Sequence, residues 1–320
     1  VNNHSIALAA RPNAAPARIG AGDLRHDLDL SEEELRELLA LTRDVKRSPQ
    51  AFRQALAGKY AGILFEKPSL RTRLTFELAF KQLGGDSVTS NGPIGAREPL
   101  KDVARNLERW TDCIVARTFS QETIDELARW ASVPVINALS DLYHPCQALA
   151  DAFTLLEHFG ALRGLKLAFV GDGNNVAHSL MLDAPRLGMD FAIATPPGYE
   201  PSGEIAAAAR ALSAAAGTKL ELTHDPEEAV RGAQAVYTDV WASMGKEAEA
   251  EQRRRDFAPY QVTPELLSKA AAEAVFMHCL PAKRGEETVD AVIESSRSVV
   301  FAQAENRLHT QKALLLMLLA

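Results

Sequence analysis

Apolar and polar positions follow two alternating styles along this chain. Short β-rich runs are followed by stretches with apolar residues at helical spacing. Ser31, three residues ahead of Glu34, has capping-box spacing, and Leu35, Leu38 and Leu39 follow on one helical face. Structure is therefore expected from about Leu28. Tyr60–Phe65 predicts a strand, and Arg71–Leu83 a helix stopped by Gly84 and Gly85. Cys113–Ala116 predicts a strand, Glu122–Trp130 a helix, Val133–Asn137 a strand, and Pro145–His158 a helix.

The second half repeats the style. Strands are predicted at Leu165–Val170, Asp190–Thr195, Lys219–Thr223, Ala235–Asp239 and Ala274–His278, with a last short run at Ser298–Phe301. An Ala-rich helix is predicted at Glu204–Ala216. Strands alternating with helices imply an α/β fold of two domains, each a mostly parallel sheet with helices on both faces. The division is expected at residues 1–22 (a disordered tail), 23–150, 151–303 and a final helix at 304–320. Two such sheets leave a cleft, and ligands of these folds sit at the C-terminal ends of strands.

Length and charge narrow the function. The chain has 320 residues, which suits two domains. Its formal net charge is −7, which argues against a nucleic-acid binder driven by bulk charge. No apolar run reaches the roughly 18–20 residues of a membrane span. Three cysteines, Cys113, Cys146 and Cys279, do not make a disulfide framework and point to a reducing, cytoplasmic compartment. The first 22 residues carry Arg11 and Arg18 and no acid, a composition that a transit peptide also shows.

The chemistry-bearing residues share one location type, just after a predicted strand. Ser69-Leu70-Arg71-Thr72-Arg73 opens a helix, where free N–H groups and the dipole favour an anion. Two hydroxyls and two guanidiniums there suit a phosphate, although a capped helix with solvated arginines is an equal reading of that segment alone. Arg117 follows a strand, and His144-Pro145-Cys146-Gln147 opens a helix. A lone histidine in such a place is more often structural. Gly171-Asp172-Gly173-Asn174-Asn175 follows a strand, but Val176 stands where a dinucleotide loop needs its third glycine. Asp239-Val240-Trp241-Ala242-Ser243-Met244-Gly245 offers an acid for an ammonium and a flexible hydroxyl-bearing turn for a carboxylate. His278-Cys279-Leu280-Pro281 follows a further strand, where an inert buried thiol is the default reading. Glu305-Asn306-Arg307 lies at the start of the final helix predicted at 304–320.

Taken together and in this order, these segments resemble the aspartate/ornithine carbamoyltransferase family, from about Asp27 to Ala320. The family's S-T-R-T-R loop matches Ser69–Arg73 with Leu70 at a variable position, and its H-P-x-Q segment matches His144–Gln147. The D-x-x-x-S-M-G and H-C-L-P segments are complete and mark the ornithine branch. The resemblance implies transfer of the carbamoyl group of carbamoyl phosphate to L-ornithine, giving citrulline and phosphate, a step of arginine metabolism, without metal or organic cofactor.

It also implies roles. Carbamoyl phosphate would be held by Ser69, Leu70, Arg71, Thr72, Arg117, His144, Gln147, Cys279, Leu280 and Arg307, with Arg71, Arg117, His144 and Cys279 catalytic. Arg307 would reach the site because the C-terminal helix packs back on the first domain. Asn175, Asp239, Ser243, Met244 and Cys279 would hold ornithine. Its δ-amine must lose a proton, which costs roughly 4 kcal/mol for an amine titrating near ~10.4 at about pH 7.5. A Cys279 thiolate or the phosphate is expected to accept it. A homotrimer or a multiple of trimers is implied, with a polar side chain from the neighbour's loop after the second strand. Pro93 stands there and has no side-chain donor, so Arg97 or Lys101 is expected to compensate. The competing acceptors are N-acetylornithine and putrescine. Asp239 with Ser243 and Met244 argues against both, because one lacks a free α-ammonium and the other an α-carboxylate.

Overall fold

The computed structural model describes residues 18–242 and 246–320, and shows two parallel sheets flanked by helices. The first contains β1 (Tyr60–Phe65), β2 (Asp86–Asn91), β3 (Cys113–Arg117) and β4 (Val135–Leu139), in the order β2-β1-β3-β4. Its helices are α1 (Glu32–Arg47), α2 (Leu70–Gln82), α3 (Leu100–Leu107), α4 (Gln121–Trp130) and α5 (Pro145–Phe159). The second contains β5 (Lys166–Val170), β6 (Asp190–Ala194), β7 (Leu220–Thr223), β8 (Ala235–Thr238) and β9 (Val275–His278), in the order β7-β6-β5-β8-β9. With it go α6 (Asn175–Arg186), α7 (Gly203–Ala216), α8 (Pro226–Val230), α9 (Ala250–Phe257), α10 (Pro264–Leu267), α11 (Asp290–Ile293) and α12 (Val300–Leu319).

Strand alternation explains the layers. Ile63 and Phe65 of β1 pack into a core shared with α1, α2, α5 and α12, whereas Leu64 between them faces α3 and α4. In the second sheet Phe169 and Tyr237 join that same core, while Ala168 and Val236 face α8, α10 and α11. One apolar core thus runs continuously under both sheets, and α12 closes it by packing on α1, α2 and α5. The fold class and the return of the C-terminal helix are as expected.

Three expectations change. The run Ser298–Phe301 is not a strand: Ser298 makes a single bridge to Phe276, and α12 begins at Val300. Val300 is fully buried, so the β-branched pair serves the helix's apolar face rather than a sheet edge. Arg307 lies inside α12, which starts four residues earlier than the expected 304. Order also begins before Leu28, and before residue 23. Ile19 is buried and donates its N–H to the Met317 carbonyl at 3.2 Å, and Leu24 bridges Ile136. No apolar pattern marks β2, because this edge strand (Asp-Ser-Val-Thr-Ser-Asn) is mostly polar and half exposed.

The sequence order reverses between β1 and β3 in one sheet and between β5 and β8 in the other. Such switch points leave a crevice at the strand ends. Arg117 ends β3, and the loops leaving β1, β5, β8 and β9 carry Ser69, Asn174, Asp239 and Cys279.

Candidate active site

Ser69 caps α2, its Oγ accepting the Thr72 N–H at 3.3 Å. The cap fixes the first helical turn, which presents Leu70, Arg71 and Thr72 with their backbone N–H groups and the positive end of the dipole. Leu70 is itself exposed, so its backbone is the part that can serve a ligand. Arg117 ends β3, and its guanidinium is buried. Burial, then Arg307 and Arg71, pull it down to about 10, so it remains cationic at neutral pH. Arg307 comes in from α12, donating to Gln147 Oε1 at 2.5 Å and Thr72 Oγ1 at 3.3 Å.

His144 is the N-cap residue of α5, held by its backbone N–H on Ser179 Oγ at 2.9 Å. Burial, with Arg307 and Arg117 beside it, holds its imidazole well below the usual histidine range. It is therefore neutral, and a neutral imidazole donates one hydrogen bond without adding a charge. His144 Nδ1, Arg117 Nε and Arg307 Nε are buried with no hydrogen-bond partner among the described residues. Buried polar atoms are normally paired, so three orphans in one place mark a site built for a polar ligand.

Across the crevice, Asp239 follows β8. Its Oδ2 accepts from Asn174 Nδ2 at 2.8 Å, and its Oδ1 accepts from Cys279 Sγ at 3.0 Å. Asn174 caps α6 with its Oδ1, so one residue both starts that helix and orients the carboxylate. Asn175 instead donates to the Ser140 carbonyl at 2.6 Å, tying α6 to the loop after β4. Burial and then Asp239 push the Cys279 thiol well above its usual range. Cys279 is thus placed as a thiol that donates to Asp239, which disfavours the thiolate named as one of the two proton acceptors. Ser243 and Met244 lie outside the described residues.

The loop of Cys279 is anchored behind the site. Leu280 has φ of 57°, a left-handed conformation that costs a non-glycine residue. Its N–H donates to His278 Nδ1 at 2.8 Å, and His278 Nε2 lies 3.1 Å from Glu287 Oε1. Asp239, His278 and Cys279 bring one ligand atom each within 4.8 Å, the spacing a metal would need, yet both His278 ring nitrogens are already engaged.

Sequence reasoning missed the connection between the two halves. Gln147 Nε2 donates to Asp151 Oδ1 at 2.8 Å, Gln303 Nε2 to the same oxygen at 2.9 Å, and the His278 N–H to Gln303 Oε1 at 2.9 Å. Arg307, Gln147, Asp151, Gln303 and His278 form one buried chain across α12, α5 and β9. Asp151 sits within an apolar helical run, and Gln303 falls between the run expected at Ser298–Phe301 and the helix expected at 304–320, so neither carried a signal.

Two family models divide the chain between them. Residues 23–157 match the carbamoyl-P binding domain of aspartate/ornithine carbamoyltransferase, and residues 163–318 match its Asp/Orn binding domain. The chain belongs to the aspartate/ornithine carbamoyltransferase family. An ornithine carbamoyltransferase from Carboxydothermus hydrogenoformans is 51% identical over 296 residues, covering 91% of this chain and 95% of the relative. One from Symbiobacterium thermophilum is 52% identical over 297 residues, 91% of this chain and 96% of the relative. The solved ornithine carbamoyltransferase of Pyrococcus furiosus superposes with a TM-score of 0.91 at 46% identity, covering 96% of this chain and 99% of that one. That of Thermus thermophilus gives 0.85 at 50% identity, covering 93% and 99%.

Within this family frame, the residues expected at the site fall into two facing groups. Ser69, Arg71, Thr72, Arg117, His144, Gln147 and Arg307 lie on the first-sheet side, and Asp239, Cys279 and Leu280 on the second. They are close enough for Arg117 and Arg307 to act electrostatically on Cys279. Pro93 and Arg97 are exposed on the loop from β2 to α3, and Lys101 is exposed in the first turn of α3. Among the described residues, no helix is long and apolar enough to cross a membrane.

Proposed function

We propose that the chain transfers the carbamoyl group of carbamoyl phosphate to the δ-amine of L-ornithine, giving L-citrulline and phosphate. Three buried cation and imidazole atoms that lack acceptors, facing a carboxylate–thiol pair, are the observation that carries this reading. The relatives' shared name supports the acceptor.

In this reading the phosphate dianion sits on Ser69, Thr72 and the first-turn N–H groups of α2, with Arg71 neutralising it. Arg117 bridges phosphate and carbonyl oxygen. Neutral His144 donates to the same carbonyl, as an oxyanion-hole donor does. Gln147 and the backbone carbonyls of Cys279 and Leu280 take the carbamoyl NH2. Asp239 binds the α-ammonium of ornithine, and Asn175 with the Ser243–Met244 turn serves its carboxylate. An ammonium arriving at Asp239 competes with the Cys279 thiol for that carboxylate. Attack by the neutral δ-nitrogen on the carbamoyl carbon gives a tetrahedral intermediate whose oxyanion faces Arg117 and His144; the C–O bond to phosphate then breaks, and the departing phosphate takes the proton of the attacking nitrogen, giving citrulline and hydrogen phosphate.

The proposed division is a carbamoyl phosphate domain at 23–150, an ornithine domain at 151–303 and a returning helix. The proposed assembly is a homotrimer or a multiple of trimers in the cytoplasm. Leu74 and Leu78 on α2 and Val88 on β2 are exposed, and these apolar side chains suit a subunit interface. The decisive assay measures carbamoylated product from carbamoyl phosphate with ornithine, N-acetylornithine and putrescine in parallel. Turnover of ornithine by at least a hundredfold over the others is expected. A preference for either alternative overturns the acceptor assignment.

A further inference from the structure

Away from the crevice, an open cleft of about 560 Å³ lies between the 3-10 turn at Pro49–Phe52, the C-terminal end of α2 and the outer half of α12. Three cations line it, Arg53, Lys81 and Lys312, together with the amides of Gln50, Gln54 and Gln82. Among the described residues, no carboxylate lines it. Lys81 has only a loose, exposed pairing with Asp86 at 3.7 Å.

Lys312 is the informative member. It is only 2% exposed, yet no described residue forms an ion pair or hydrogen bond with its ammonium. Burial alone lowers its pKa, with no carboxylate raising it. The stem of Lys312 is thus buried while its unpartnered ammonium is left to the cleft, where a ligand can supply the counter-charge.

We infer that this cleft is a second anion site, distinct from the crevice, that takes a small molecule bearing phosphate or pyrophosphate on Arg53, Lys81 and Lys312. Arginine and lysine are the side chains that hold phosphate oxygens, and three of them match a dianion or trianion better than a single carboxylate. The volume exceeds what inorganic phosphate fills, and the three glutamine amides can hydrogen-bond the remainder of a larger ligand. The cleft joins the far end of α2, whose first turn carries Ser69–Thr72, to α12, which carries Arg307.

The test is calorimetric titration with inorganic pyrophosphate at fixed ionic strength, on the full chain and on variants. Wild type is expected to bind two pyrophosphates per chain. Arg53→Ala with Lys81→Ala, both exposed positions, weakens one of them at least tenfold and leaves carbamoyl transfer within twofold of wild type. Lys312→Met, which keeps the buried stem, loses the same site and unfolds at a higher temperature than wild type when no anion is present. Arg71→Ala removes the other site, so failure of the active-site assignment shows separately as unchanged binding in that variant. The cleft proposal is overturned if Arg53→Ala with Lys81→Ala binds pyrophosphate with wild-type stoichiometry and affinity, or if wild type has one site that only Arg71→Ala removes.

Discussion

Cys279 Sγ donates to Asp239 Oδ1 across 3.0 Å, which makes the thiol a proton donor to the carboxylate that faces the crevice. Burial and that carboxylate both disfavour the thiolate. Alkylation of Cys279 should therefore be slow at pH 7.5 relative to a free thiol titrating near ~8.5. Asp239→Asn removes a negative neighbour and should move the thiol titration, followed by ultraviolet absorbance, to lower pH. Cys279→Ser should raise the ornithine KM at least about fivefold and leave the carbamoyl phosphate KM within about twofold. A Cys279 titration at or below the free-thiol value sinks this picture.

The anion side of the crevice depends on its guanidiniums. Arg71→Ala and Arg117→Ala should each cut kcat/KM at least about a hundredfold, because each removes a charge-assisted contact to phosphate or to the developing oxyanion. Arg117 is depressed only to about 10, so its contribution should stay constant from pH 6 to 8.5. Activity should still rise over that window as the δ-amine of ornithine loses its proton. Steady-state kinetics within tenfold of wild type for either variant counts against the assignment.

Asp151 ties stability to pH. Burial pushes its carboxyl up to about 6, against the hydrogen bonds from Gln303 and Gln147 that pull it down. In the unfolded chain the group titrates near ~3.9. Between those values the folded state holds a proton that the unfolded state has lost, so this group makes stability fall as pH rises from about 4 to 6. Asp151→Asn keeps an acceptor for both amides and cannot ionise. Urea unfolding midpoints across that window should be flatter for the variant than for wild type. Equal slopes would show that Asp151 does not titrate there.

Pro93 leaves the loop after β2 without a side-chain donor, and Arg97 is exposed four residues further on. One hydrogen bond to a charged ligand is worth about 1.5–3 kcal/mol, or roughly ten- to a hundredfold in affinity. Arg97→Ala should raise the carbamoyl phosphate KM at least about fivefold, and Pro93→Gln should partly restore it in that background. An unchanged KM in Arg97→Ala, with assembly intact by light scattering, would pass the role to Lys101 or to the backbone.

Much of this protein is determined locally and was legible in the chain. The capping box of Ser31 and Glu34 forms as its spacing dictates, and the strand at Tyr60–Phe65 has the predicted ends. Buried parallel strands read as continuous apolar runs, because both their faces are covered. The polar segments after them stand out because the fold needs no such residues there. Tertiary structure decided what no local pattern could encode. The edge strand β2 forms because β1 offers it a ladder, not because its polar residues demand one. Val299 and Val300 have strand propensity, but Val300 opens α12 and packs in the core beneath α8, α10 and α11. The protonation of Cys279 depends on Asp239, 40 residues earlier, and on burial that only the closed crevice creates. The chain from Arg307 through Gln147, Asp151 and Gln303 to His278 likewise joins three elements distant in sequence. Hydrogen bonds are short-ranged in space and indifferent to sequence separation, so their partners appear only once α12 has folded back.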